Sequence, residues 1–484
     1  MLFNSYVFIF AFLPVTFFVY YYLNYKQMTT VSSAFLVLAS LFFYSWWNIA
    51  YLPLILGSMV FNYFIGQQVS KKDHITFGIL SAKAVLTIGV VGNLGLLGYF
   101  KYSDFFISTV NDIFSSDFTM LHLLLPLAIS FFTFQQIAYL VDSYKKGAQE
   151  YSVINYALFV TFFPQLIAGP IVHHKEMMPQ FSASENKLLN YDNIAKGMFI
   201  FTIGLFKKLV IADTFAQWAN FGFNGTESID FLSAWAATTS FYFQIYFDYS
   251  GYTDMAIGLA LLFNIKLPIN FFSPFKAQNI QEFWRRWNMT LTRFLREYIF
   301  LPLGGARKGR TIGYINLVIT FTLGGLWHGA SWTFVVWGLL NGTALVVFIL
   351  WKKYGVKFYK WFSWFVTFIF VDITSVFFRA DSWDGAMRML KGMVAFDYIV
   401  LPSELEFANN LNIQFGDFLP GANGNPATLM WLLLGFIIIL CFKNSIEKMN
   451  EFKPSFYNFL FMSFGLIVGL LYITKESEFL YYNF

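Results

Sequence analysis

His328 is the histidine, of the five in the chain, that sits inside a long apolar segment, TFTLGGLWHGASWTFVVWG. An ionisable side chain is costly to place in apolar surroundings and marks a functional candidate by default. Imidazole accepts a proton near neutral pH, which is what a general base must do. A core histidine bonded to a neighbouring carbonyl fits the same pattern. Gly324, Gly325, Gly329 and Ala330 let another helix, or a ligand, come close to the backbone here. No serine–histidine–acid spacing and no metal-ligand cluster is evident. His328 would therefore act on a hydroxyl brought from elsewhere.

The second candidate is NIQEFWRRWNMTLTRFLREYIF, residues 279–300. At about 100° per residue, Glu282, Arg285, Arg286, Arg293, Arg296 and Glu297 share an arc of roughly 120°. Phe283, Trp284, Trp287, Leu291, Phe294, Leu295, Tyr298 and Ile299 face the other way. Glu282 with Arg286 and Arg293 with Glu297 stand at i,i+4 and support the charged side. The pattern predicts one amphipathic helix, either on an interface or dipping into a polar cavity. Asn288 falls on the apolar side. A buried amide without a partner costs about 1–3 kcal/mol, so a specific bond is expected for it.

Weaker candidates follow. His173, His174 and Glu176 come after Gly169–Pro170 and read as a solvated loop rather than a metal site. In FDYSGYTDMAIG, Asp248 and Asp254 are expected to cap helix starts or to pair with the arginines of 285–296. LGGARKGR (303–310) resembles a phosphate loop only loosely, lacking its Gly-Lys-Ser/Thr ending, and reads as a basic turn.

The elements that hold these residues follow from composition. The chain has 484 residues, 57% hydrophobic and 22% aromatic but only 12% charged, and its mean hydropathy is +0.56. Soluble proteins carry about 25% charged residues, so a soluble globule, a disordered chain and a disulfide scaffold are excluded. Apolar stretches from 4–23 to 455–473, among them 152–170, 230–247 and 252–264, predict about a dozen crossings of a bilayer that needs roughly 20 residues each. The N-terminal stretch lacks a basic n-region and reads as a retained first span, not a signal peptide. Pro268, Pro274 and Pro302 interrupt the centre, which is expected to line a cavity. One cysteine, Cys441, excludes an internal disulfide and multi-thiolate metal sites. There is no nucleic-acid motif. No soluble domain or internal repeat stands out, so residues 1–484 read as one membrane domain. Lys26, Lys71, Lys72, Lys145, Lys146, Lys443, Lys448 and Lys453 mark cytoplasmic loops, while 392–442 holds only acidic charges. Both termini, including a tail at 474–484, are then expected outside.

The string EFWRRWNMTLTRFLREYIFLPLGGARKG, followed by GGLWHGASWTFVVWG, resembles the membrane-bound O-acyltransferase family. FNSYVFIFAFLPVTFFVYY, FFPQLIAGPIV and YFDYSGYTDMAIGLA resemble its bacterial cell-surface branch: alginate and peptidoglycan O-acetyltransferases and D-alanyl export proteins. The resemblance implies a ring of membrane helices with re-entrant or interfacial pieces around a central tunnel. It implies the catalytic histidine at His328 and the second signature position, His or Asn in different branches, at Asn288. WRRWN departs from the WRRWH expected of alginate enzymes, which favours peptidoglycan as final acceptor and weakens any two-histidine mechanism. The ending EFLYYNF matches an F-x-Y-x-x-F tail whose tyrosine, here Tyr481, is the implied acyl relay. An interfacial aromatic belt fits the same residues. The implied activity moves acetyl from cytoplasmic acetyl-CoA, used as donor rather than held as a resident cofactor, across the bacterial cytoplasmic membrane. A separate extracytoplasmic O-acetyltransferase would complete transfer to polysaccharide, with membrane lipids around the chain. Trp284, Arg285 and Arg286 are candidate donor-binding residues, and no metal is expected. D-alanyl or another small-acyl transfer, and a non-catalytic transporter or flippase, are the alternatives.

Overall fold

Long apolar runs with helix-compatible spacing become helices almost from end to end. The computed structural model describes residues 1–70, 80–146, 152–408, 414–416, 418–419, 424–473 and 480. The first helices are α1 (Phe8–Tyr25), α2 (Thr29–Ser45), α3 (Ile49–Val69), α4 (Ala82–Phe114) and α5 (Ile129–Lys146). A broken stretch holds α6 (Val153–Thr161) and α7 (His174–Ser182). Then α8 (Tyr191–Phe206) runs through a π-helical turn, Lys207–Ala212, into α9 (Asp213–Asn224), and α10 (Phe231–Leu262) follows. The short α11 (Ile280–Arg286) and α12 (Met289–Leu295) precede α13 (Arg310–His328) and α14 (Trp332–Lys353). The last are α15 (Lys360–Arg379), α16 (Trp383–Gly392), α17 (Pro426–Cys441) and α18 (Phe456–Tyr472). Strands β1 (Val400–Pro402) and β2 (Gln414–Gly416) pair in parallel. The chain is all-α. Of its helices, α1, α3, α4, α14 and α15 are long and apolar enough to cross a membrane, and α2, α17 and α18 are shorter apolar helices.

α10 is the axis of the molecule, buried along nearly its whole length. It packs on α8 backbone to backbone. A Cβ on Gly204 would meet the Gly251 carbonyl at 2.5 Å, and one on Gly197 the Gly258 carbonyl at 2.7 Å. Glycine therefore serves close approach here and does not end the helix. For that reason the two spans expected at 230–247 and 252–264 are a single helix of 32 residues.

Two further expectations are corrected. Residues 152–170 do not cross: α6 has nine residues, about 13 Å of helix. Past Gly169–Pro170 the chain returns so that His173 reaches Asp142, near the end of α5. Residues 279–300 are not one helix either, because the chain breaks at Trp287–Asn288 between α11 and α12.

Some of the basic connections meet across the chain, while Lys71 and Lys72 lie outside the described residues. The Tyr21 hydroxyl donates to the Leu262 carbonyl, Lys187 Nζ donates to Ser33 Oγ, and Lys276 Nζ donates to the Phe442 carbonyl. The acidic segment after α16 covers the start of α10 instead. The Phe231 amide donates to the Tyr398 carbonyl, and the Leu419 amide to Ser233 Oγ.

Candidate active site

His328 is the last residue of α13, 4% exposed, and rings close around it. Its imidazole centroid is 4.9 Å from that of Trp327, 5.4 Å from Trp337 and 5.0 Å from Phe378. The helix end is held from α4. Lys101 Nζ donates to the Trp327 carbonyl at 2.6 Å and to the His328 carbonyl at 3.2 Å, so a cation meets the negative end of the α13 dipole. The Tyr102 hydroxyl donates to the Leu326 carbonyl at 2.9 Å. α13 lies against α14 at glycines: a Cβ on Gly325 would collide with the Phe334 carbonyl and come within 3.0 Å of the Gly338 Cα. His328 and Trp337 are thereby brought onto one wall.

The opposite wall comes from α10 and α11. Tyr242, Ile245, Phe283, Trp284 and Trp287 join His328, Trp337, Val371, Ser375 and Phe378 around a cavity of about 30 Å³. That is room for a water or a small reacting group, with no space for a complete acyl donor. A larger cavity of about 330 Å³ lies beyond α10, between α8, α17 and α18; it contains Lys207 and Lys448 but neither His328 nor Asn288.

Asn288 directly follows Trp287 and takes a left-handed backbone, φ 40° and ψ 57°. Asparagine tolerates that region better than most residues. Although it stands at the start of α12, it does not cap the helix. Asn270 does so from the preceding loop. Its carbonyl accepts from the Met289 amide at 3.0 Å, and its Oδ1 accepts from the Thr290 amide at 3.3 Å and the Thr290 hydroxyl at 2.6 Å. Thr290 Oγ1 in turn accepts from the Ile171 amide at 3.0 Å, and Asn270 Nδ2 donates to the Tyr249 hydroxyl at 3.3 Å. The Asn288 amide is left available. It is 2% exposed, and neither Oδ1 nor Nδ2 has a hydrogen-bond partner among the described residues. The specific partner expected from sequence is not among the described residues.

The donor-binding candidates separate. Trp284 is buried in the cavity wall, Arg286 is tied to Glu282 at 2.7 Å, and Arg285 is exposed. Arg293 joins Glu297 at 3.1 Å, as its spacing predicts, and also Glu176 at 2.8 Å. His173 and His174 are buried, not solvated. His173 Nδ1 lies 3.2 Å from the Tyr298 hydroxyl and 3.6 Å from Asp142. Among the described residues no three His, Cys, Asp or Glu side chains group as a metal site requires. Asp254 and Asp248 pair with lysines, not arginines: Lys207 with Asp254 and Lys208 with Asp248, each at 2.8 Å. Tyr481 lies outside the described residues, whereas its neighbour Leu480 is described and donates its amide to Asp248 Oδ2 at 3.2 Å. Asn270, Thr290 and Lys101 had no signal in their local sequence; the proline-interrupted loop was the one pointer to Asn270.

The sequence pattern of the membrane-bound O-acyltransferase family, MBOAT, matches residues 143–379, which hold both WRRWN and WHG. The chain is 47% identical to the peptidoglycan O-acetyltransferase of Helicobacter pylori, over 100% of this chain and 98% of that protein. The chain belongs to the membrane-bound O-acyltransferase family. Within it, the chain is 38% identical to the probable alginate O-acetylase AlgI of Pseudomonas aeruginosa, across 92% of this chain and 82% of AlgI. It is also 25% identical to the teichoic acid D-alanyltransferase of Bacillus subtilis, across 49% of this chain and 61% of that one. As a member of this family the chain is a multi-pass membrane acyltransferase. The non-catalytic transporter that the sequence left open is set aside.

Proposed function

We propose that this acyltransferase takes acetyl from cytoplasmic acetyl-CoA and passes it through the membrane for O-acetylation of an extracytoplasmic polysaccharide, peptidoglycan ahead of alginate. The observation that carries the chemistry is a buried His328 in one cavity with Trp287, the residue directly before a buried Asn288 amide that has no hydrogen-bond partner among the described residues. His328 takes the proton of an acceptor hydroxyl, whose oxygen attacks the thioester carbonyl. The Asn288 Nδ2–H donates to the carbonyl oxygen as negative charge builds there. When the C–S bond breaks, the proton on His328 goes to the departing CoA thiolate. A bound donor would supply the acceptor atom that the Asn288 amide lacks among the described residues. Trp284 lines the path, and Arg285 and Arg286 lie on the same helix for the donor's phosphates. The ring of helices and central tunnel that the family resemblance implies belong to this reading.

Near-complete alignment with a peptidoglycan O-acetyltransferase at 47% identity supports the acceptor class. The alternation of lysine-bearing and acidic connections along the sequence supports cytoplasmic lysine loops and termini on the other side. In this reading Tyr481 carries the acyl group outward to a partner O-acetyltransferase. The test uses purified protein in lipid vesicles with radiolabelled acetyl-CoA. Release of free CoA thiol, with label retained on the C-terminal peptide, supports the reading. Absence of thiol release from acetyl-CoA, with release from a D-alanyl donor, would replace acetyl by D-alanyl transfer.

A further inference from the structure

We infer that the carboxylate of Asp248 is the dock that holds the C-terminal tail in the helix array, which makes Asp248 a positioning residue for acyl transfer. The second half of this inference rests on the tail reading above; the first half does not.

The dock is built at the π-helical turn Lys207–Ala212. Such a turn inserts one residue into a helix and re-aims the side chains beside it. Here it sends two consecutive lysines to different carboxylates. Lys207 reaches Asp254, while Lys208 reaches both Asp213 and Asp248, at 2.8 Å each. Lys208 and Asp248 are both 1% exposed. Lys208 thus serves two carboxylates at once. Asp248 Oδ1 faces Lys208, while Oδ2 takes the amide of Leu480.

Chain geometry makes this a return. α18 runs beside α8, with Gly465 against Thr202 and Gly469 against Leu205. Advancing three residues on each helix brings Tyr472, the last residue of α18, level with Lys208. Leu480, eight residues later, is at the same cluster. The dock is also close to the chemistry. Asp248 is one turn along α10 from Ile245, which lines the His328 cavity. A peptide N–H bound to a buried carboxylate is a charge-assisted bond, roughly twice as strong as a neutral one.

Removing Asp248 leaves Lys208 and Asp213 as a balanced pair, so the variant is expected to insert. The probe is a cysteine at 480 (Leu480→Cys, which keeps the amide) in a Cys441→Ser background, reacted with a membrane-impermeant maleimide from the extracytoplasmic side. Asp248→Leu should speed labelling by roughly tenfold or more, the scale of a lost bond to a charged group. Asp248→Asn keeps an acceptor oxygen and should give a smaller rise, about threefold, and it decides the matter if the leucine variant fails to insert. Unchanged labelling in the inserted variants overturns the dock. If labelling rises and acetyl export falls with it, both the dock and the tail reading stand. Faster labelling with undiminished acetyl export establishes the dock and removes the tail from the reaction.

Discussion

His328 and Asn288 are both buried, but the protein treats them differently. The imidazole is packed on three sides by Trp327, Trp337 and Phe378, so its ring orientation is set by aromatic contacts. His328→Ala should leave the protein inserted and lower acetyl transfer by about 10²–10⁴-fold, the usual scale of a lost general base. Thiol release from acetyl-CoA by the purified variant checks it, and near-normal release would remove His328 from the mechanism. Asn288→Ala should cost roughly 10²–10³-fold, the scale of one lost donor to a developing oxyanion. Asn288→His should retain more activity than Asn288→Ala, since imidazole also donates and histidine enters left-handed backbone more readily than most residues. Because the amide has no partner among the described residues, Asn288→Ala should lower thermal stability only by the strain of alanine in left-handed backbone, about 1–2 kcal/mol. A fall in Tm equal to that of a core truncation would show that the residue only packs.

At the scale of elements, two devices hold the site open. One is the cap that Asn270 supplies to α12, which spares Asn288 that duty. Asn270→Ala leaves the Thr290 amide and hydroxyl without their acceptor and should destabilise by about 1–3 kcal/mol. It should also lower turnover, measured beside Tm, because Asn288 then has a helix end to serve. The other is the glycine contact of α13 with α14. Gly325→Ala drives a methyl into the Phe334 carbonyl, and overpacking of that kind costs typically about 1–3 kcal/mol. Since His328 ends α13 three residues later, the variant should lose activity by more than its stability loss explains. A Gly325→Ala enzyme with wild-type thermal stability and turnover would mean that the two helices separate without consequence.

Across the whole molecule, α10 joins the site to the tail. Tyr242 and Ile245 line the His328 cavity, and further along the same helix Asp248 and Asp254 reach the lysines of the π-helical turn. In the proposed reaction a rigid axis of this kind would connect the donor site to the tail anchored at Leu480. If Tyr481 is the acceptor, Tyr481→Phe keeps the ring and deletes the one reacting oxygen. That variant should fold and bind acetyl-CoA yet export no acetyl, whereas Tyr482→Phe should behave as wild type. Acetylation of the cell-surface polymer, with mass spectrometry of the C-terminal peptide, reads both. Full polymer acetylation by Tyr481→Phe would leave the tail as an interface anchor.

What could be read from the linear chain was what depends on local chemistry. A chain with so few charges and such long apolar runs can satisfy its backbone in lipid only as helices. A histidine in an apolar run, and an asparagine out of pattern between WRRW and MTLT, stand out because burying either is costly. The family followed from the same strings. The tertiary structure decided what depends on neighbours distant in sequence. Periodicity treats 279–300 as one helix, and nothing local says that Asn270 will cap from a loop and break it at Asn288. Apolar runs read 230–247 and 252–264 as two spans, but packing of Gly251 against Gly204 makes them one continuous helix. Asp248 and Asp254 found lysines instead of arginines because a π-helical turn, invisible to a 3.6-residue period, aims Lys207 and Lys208 at them. Local pattern sets which residues must be buried; the fold alone chooses their partners, because those lie across the chain and a buried charge or amide must take what packing brings within reach.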